Sequence, residues 1–273
     1  MNRIWFSDRL ETVAMFWRVL RRDGVALGFT THDRDLWFGG LLHRAAPGMI
    51  PSSLRRSGDF EPDSAEVRGA LTHDALSAAD LAMGRFDGAQ VRIGLVDWET
   101  LEHDVLYAGS LGEIVEEDGR FTAGLISRKA ELLRDPVPRT SPMCRAAFCG
   151  PGCTLSALSF THEARVMATA FGDNAVTLAT GASPETLVGG VLRWLDGPQA
   201  GLSMDVMATG ASGVVLATSL DPALAPGTRA IVREGCDHTL GTCAARFGNA
   251  ANFQGEPFLP GNDMIVRYPV PAA

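Results

Sequence analysis

The 273-residue chain carries 24 basic and 32 acidic side chains, a net charge of −8, with 46% apolar residues. That balance argues against a nucleic-acid-binding surface, because phosphate recognition needs positive potential. No apolar run reaches the length of a membrane span, so no membrane insertion is expected. Thirty glycines, fifteen prolines and short apolar runs predict a mainly β chain with many turns, long enough for one large core or two ordinary ones.

Residues 10–30 (LETVAMFWRVLRRDGVALGFT) read as two apolar stretches around an Asp23-Gly24 hairpin turn. His32, Asp33 and Asp35 follow in a run of charge and turn residues, which reads as a polar loop rather than a metal site. Residues 43–58 read as a loop or arm. A short helix capped by Ser77 is expected through Asp80 and Met83, ending at Gly84; the isolated His73 reads as a surface or capping residue. Strands are expected at 89–98, 103–109, 111–116 and 120–127, with a turn at Asp118-Gly119, and together suggest a closed or nearly closed antiparallel barrel.

The segment 135–143 (DPVPRTSPM) holds three prolines and reads as a linker, dividing the chain into domains 1–138 and 139–273. Further strands are expected at 163–170, 174–179, 187–195, 202–208, 212–218 and 228–234, a spacing that suits a small barrel or sandwich. A short helix carries Cys243, with Asp237 as its expected cap and Gly248 as its stop. The remaining residues, with turns at Gly255 and Pro260-Gly261, suggest little regular structure.

The five cysteines fall in two tight groups: Cys144, Cys149 and Cys153 in CRAAFCGPGC, and Cys236 and Cys243 in GCDHTLGTC. Disulfides are disfavoured by the odd count and by an N-terminus, MNRIWFSDRLE, without a signal-peptide pattern. Zinc normally takes paired C-x2-C knuckles, which are missing here. An iron–sulfur cluster also takes four thiolates but accepts wider spacings. Cluster, zinc and unbridged core thiols therefore stay open on spacing alone. Any metal held by both groups would staple the beginning of the second domain to its end. Its binding free energy would count as folding free energy, so losing a ligand should destabilise that domain and spare the first.

No phosphate-binding loop, nucleophile elbow, zinc-protease motif or dinucleotide fingerprint occurs. A Cys236–His238 catalytic pair is conceivable, but two residues apart on a turn the side chains usually diverge. No enzymatic turnover is expected.

The stretches FWRVLRRDGVALGFTTHDRDL, DLAMGRFDGAQVRIGLVDW, SPMCRAAFCGPGC and GCDHTLGTCAARFGNAANFQGEPFLPGND span nearly the whole chain. In them the chain resembles the hub (baseplate) proteins of gene transfer agents and related prophage tail proteins. The C-terminal part is also similar to the tail tip protein L of lambda-like siphophages, which carries a C-x8-C and C-x6-C quartet binding a 4Fe-4S cluster. The resemblance implies the ligands Cys144, Cys153, Cys236 and Cys243, with Cys149 spare, and assigns RFGNAANFQGEPFLPG to packing around the site. It implies a mainly β fold of two β-barrel-type domains with short helices, the second closed by the four-cysteine metal centre. It further implies a homotrimer of tail-tube-like barrels mated to a hexameric distal tail protein above and a large, megatron-type tip protein below. The resemblance also implies that DNA passes through without specific binding, that the particle is assembled in the bacterial cytoplasm, and that the chain sits at the distal end of its tail.

Overall fold

The computed structural model describes residues 10–45, 49–51, 64–70, 80–81, 83–117, 120–133 and 137–259. The chain divides into two compact units, Met1–Asp135 and Pro136–Ala273. The readings made for 46–48, 52–58, 72–79, 118–119 and 260–261 lie outside the described residues.

In the first unit the strands are β1 (Val13–Leu20), β2 (Ala26–Thr30), β3 (Leu36–Phe38), β4 (Leu41–Arg44), β5 (Met49–Pro51), β6 (Ser64–Ala70), β7 (Gln90–Asp97), β8 (His103–Glu117) and β9 (Arg120–Ser127). They form one sheet in the order β3-β4-β2-β1-β7-β8-β9-β6-β5. Of the expected closed or nearly closed barrel, the ladder shows a single nine-stranded sheet that is not closed between its end strands among the described residues. Among the described residues the sheet ends at β3 and at β5, both three residues long, and such short strands offer little edge for pairing.

Alternation drives the layering. Trp17, Val19, Val91, Ile93, Tyr107, Leu111, Ala123 and Leu125 point to one face and form the main core with Phe29 and Phe86. Phe16 and Val96 point to the other and pack with Leu36 and Phe38. Asp23-Gly24 does turn β1 into β2, in register Leu20↔Ala26. The strands expected at 103–109 and 111–116 are instead one continuous strand with a bulge between Leu111 and Ile114. Gly109 is not a break. A Cβ there would lie 2.4 Å from the Ile126 carbonyl oxygen, so glycine permits a close approach of β9.

His43 is fully buried, stacked on Phe38 with centroids 3.8 Å apart. Its Nε2 accepts a hydrogen bond from Arg18 Nε at 2.9 Å, a bond that a proton on Nε2 would remove. Burial, reinforced by the Arg18 charge, lowers its pKa from 6.5 to about 4. The unfolded chain therefore takes up a proton near pH 6.5 that the folded one refuses. The first unit should be fully stable above that pH and lose about 3 kcal/mol as the pH falls to 4, after which the loss levels off. Urea unfolding at pH 7 and pH 4.5 checks this, and His43→Gln should flatten the dependence.

The second unit is a closed six-stranded barrel, β10 (Thr161–Ala170), β11 (Ala175–Thr180), β12 (Val191–Trp194), β13 (Ser203–Gly210), β14 (Gly213–Leu216) and β15 (Arg229–Arg233), in the ring order β10-β11-β14-β13-β12-β15. Val166, Val176, Leu192, Trp194, Val206 and Val232 fill it. The strand expected at 187–195 is shorter, because Ser183-Pro184 starts a one-turn helix, Pro184–Leu187, that buries Leu187 first.

The barrel contains a repeat that alignment of its ladders makes plain. VMAT occurs at 166–169 and again at 206–209, and VTLAT at 176–180 returns as VVLAT at 214–218. Pro184 and Gly189 follow the first, and Pro222 and Gly227 follow the second at the same offsets. The pairings repeat as well. Val166↔Leu178, Ala168↔Thr177 and Thr169↔Val176 match Val206↔Leu216, Ala208↔Val215 and Thr209↔Val214, each set with a bulge at the methionine. Between the halves, Val176 pairs with its own counterpart Val214, and Leu192↔Val232 has its counterpart in Trp194↔Ala230. The barrel thus has a pseudo-twofold axis through the β11–β14 and β12–β15 pairs.

Candidate metal centre

All five cysteines lie in the second unit, outside the barrel core, on the segments that precede β10 and follow β15. By the repeat, the segment after β15 corresponds to residues 195–198 after β12, which hold no cysteine.

Local chemistry places each thiol. Cys236 lies in the extended stretch after β15. The helix Leu240–Ala245 is capped by Thr239, whose side chain accepts the Thr242 N–H, rather than by Asp237 as expected. Asp237 accepts bonds from the Thr239 N–H at 2.9 Å and the Thr242 hydroxyl at 2.6 Å, so it braces the cap. Cys243 is buried on this helix. In the first segment Cys153 is buried, while Cys144, Cys149 and Cys236 are half-buried.

The two segments are laced together. The Cys144 N–H donates to the His238 carbonyl at 2.8 Å, and the His238 ring bonds the Cys144 carbonyl at 3.0 Å. Arg145 and Glu256 form an ion pair at 2.7 Å, and Glu256 also accepts the Ser141 N–H. Asn249 Nδ2 donates to the Cys153 carbonyl at 2.6 Å. Phe148, Phe160 and Phe247 pack with centroids 4.9–5.4 Å apart. Arg246 reaches the carbonyls of Gly235 and Thr186 and pairs with Glu234, joining this cap to the barrel.

Cys236 and Cys243 lie within electrostatic reach of Cys144 and Cys153, and Cys149 within that of Cys153 and Cys236. Burial raises the Cys243 thiol pKa, and the thiols of Cys144, Cys236 and Cys153 raise it further. Burial likewise raises Cys236, opposed by the His238 N–H and aided by Asp237, Cys153 and Cys144. Cys149 is raised by burial and by Cys153 and Cys236, with Arg233 pulling the other way. It takes a left-handed backbone at φ 59°.

Three sulfurs receive N–H donors: Cys236 from the His238 backbone at 3.3 Å, Cys144 from the Gln254 backbone at 3.3 Å, and Cys153 from Asn249 Nδ2 at 3.7 Å. Such donors stabilise thiolate and orient it, as they do around iron–sulfur clusters. The donor set therefore fits a thiolate-held group. Among the described residues no three His, Cys, Asp or Glu side chains converge on the position of a single ion.

The His238 ring is committed to the Cys144 carbonyl and only its backbone reaches Cys236, so no Cys–His catalytic pair forms. His32 bonds the Arg34 backbone and Asp35 caps Ala45, which makes residues 31–35 a turn. The supporting residues Arg246 and Asn249 carried no chemical signature in the sequence, and His238 read only as a catalytic partner of Cys236. Their only other signal was membership of the GCDH and RFGNAANFQG runs.

Residues 6–156 match the family described as baseplate hub protein, N-terminal attachment domain. Residues 186–263 match a second family, phage conserved hypothetical protein BR0599. No curated protein matches the chain. A chain in the solved structure "Virion of native gene transfer agent (GTA) particle" is 32% identical over 98% of this chain and 95% of its own, with a TM-score of 0.82. No helix among the described residues is long and apolar enough to cross a membrane. A mainly β chain with an attachment-domain match through its first unit and this likeness along its whole length belongs to the phage baseplate hub protein family.

Proposed function

We propose that the chain is a structural hub of a phage-like tail, of the gene transfer agent type, closing the distal end of the tail tube without catalytic turnover. The likeness to a gene transfer agent virion chain over 98% of the residues carries this reading. In it the chain forms a homotrimer, binds a hexameric distal tail protein through its first unit and a large, megatron-type tip protein on the other side. DNA passes through the ring without specific binding, which suits a net charge of −8. Mass spectrometry of purified tail particles tests the role: the chain should be present in stoichiometric amount with the other baseplate proteins, and its absence would sink the reading.

Within the second unit, Cys144, Cys153, Cys236 and Cys243 would hold a 4Fe-4S cluster with a structural role. When bound, the group supplies four metal–thiolate bonds that tie the two cap segments to each other. The chain's own residues do the rest. His238, Gln254 and Asn249 direct N–H groups at three of the sulfurs, Phe148, Phe160 and Phe247 pack the two cap segments together, and Arg246 fixes the cap to the barrel. Cys149 is the spare thiol. Zinc is the alternative, and the C-x8-C and C-x6-C spacings suit the larger group better than the C-x2-C knuckles that zinc usually takes.

Anaerobic purification followed by iron, sulfide and zinc analysis on one sample discriminates. About four irons and four sulfides per chain, with a broad absorption near roughly 400 nm, are expected. One zinc without sulfide would replace the cluster by a plain four-thiolate site.

A further inference from the structure

A cavity of about 330 Å³ opens on the first unit, among β7, β8, β9 and the turns flanking them. Arg22, Arg92 and Arg128 line it, with Gly88, Gly109 and Ser110 at its floor and wall. None of the three arginines has an ion-pair partner among the described residues.

The strand register explains the gathering. Arg92 lies opposite Ala108, and Ser110 lies opposite Ile126, so Arg92, Ser110 and the residues leading to Arg128 share the face opposite the main core. Arg18 is paired with Arg92 on the neighbouring strand, adding a fourth positive charge to that face. The wall is shaped for it. Gly88, at φ 60°, leaves the space in which Arg22 Nη2 sits, 2.6 Å from where a Cβ would be. Like charges held together on an acidic chain cost free energy until an anion neutralises them.

We propose that this cavity receives a carboxylate-bearing segment of the protein to which the first unit attaches. The proposal rests on the hub reading and names the chemistry of its docking contact. Guanidinium forks match carboxylates in two-point fashion. The arginines ring a concavity instead of forming the extended row that follows a nucleic-acid backbone. The cavity also lies within the region that matches an attachment domain.

Fluorescence anisotropy with labelled hexaglutamate peptide and the full-length protein tests it. The wild type should bind, more weakly as salt rises. Arg92→Gln combined with Arg128→Gln should weaken binding about tenfold, two lost exposed ion pairs of the usual strength. Arg139→Gln, an exposed arginine outside the cavity, should leave it unchanged. Equal binding by the double variant and the wild type, or no wild-type binding, overturns the proposal. So does a short oligothymidylate that binds more tightly and is lost in the same variant, which would assign the cavity to nucleic acid. If the peptide result is negative while the wild-type chain is still found in tail particles, the cavity proposal alone has failed. If the chain is missing from the particles, the hub reading has failed.

Discussion

Cys236→Ser is expected to purify without iron or sulfide while its six-stranded barrel stays folded. The barrel core is made of aliphatic side chains with Met204 and Trp194, and no cysteine contributes to it. The ring closes through its own ladders, β10 with β15 and β12 with β15. What the cysteines border is the cap, residues 137–160 and 234–259, where regular structure is limited to short turns and one helix of six residues. The destabilisation anticipated for the second domain therefore falls on the cap. A hydroxyl is a poor substitute for a thiolate, so the loss of metal should exceed the 10–100-fold that a missing outer-shell contact usually costs.

Hydrogen exchange reads the split. Amides of Cys144, Arg145 and Glu256 should exchange at least tenfold faster, about 1.4 kcal/mol of opening free energy, while those of β10–β15 keep their protection. Cys149→Ser should retain the metal. Retention of iron by Cys236→Ser would remove Cys236 from the ligand set, and loss of barrel protection would show that the barrel depends on the cap.

Gly235→Ala should be the most damaging single methyl group in the second unit. Its Cβ would stand 1.8 Å from the Val188 carbonyl oxygen and 2.5 Å from Gly190 N, and both are backbone atoms. The reverse holds for Gly190, whose Cβ would meet the Arg233 oxygen at 2.0 Å. The chain crosses itself here just before Cys236, and the Gly235 N–H donates to the Thr186 carbonyl. Neither segment can yield without breaking the β12–β15 ladder. Overpacking of this kind costs about 3 kcal/mol, or a fall of roughly 10 °C in the midpoint of the second unit. Gly241→Ala, within the helix and with nothing in reach of its Cβ, should be neutral or slightly stabilising. Calorimetry on the two variants makes the comparison. Equal midpoints would mean that the crossing is loose.

Much of the strand content was legible because alternation and turn chemistry agree. The Asp23-Gly24 hairpin, β7 and β9 fall where apolar periodicity places them. The failures have physical causes. The gap expected between strands 103–109 and 111–116 is not there, and the missing side chain of Gly109 serves the approach of a neighbouring strand. Asp237 has the composition of a helix cap, but Thr239 is nearer the first turn and takes the bond. The cysteines were visible as a pattern. The groups that direct N–H bonds at them were not, since two of those donors are backbone amides and any residue type can supply one. The arginine cavity draws on positions 22, 92 and 128, which only strand register unites. The repeat within the barrel is masked by loops of unequal length, Phe171–Asn174 in one half and Ala211–Ser212 in the other.

Half of that barrel, taken alone, keeps only the β10–β11 ladder, because β11 bonds β14, β10 bonds β15, and β12 lies between β13 and β15 of the other half. Two such halves satisfy each other about the Val176–Val214 axis, so the domain is built as a dimer fused into one chain. A ring of that kind needs no cofactor to close. Fusion does create something the symmetric pair lacks, namely a first end and a last end that are no longer equivalent. The cysteines stand at those two ends, Cys144–Cys153 ahead of the first half and Cys236–Cys243 behind the second. A group held by those cysteines would be the clasp of the fused pair, placed where the symmetry of the fold stops.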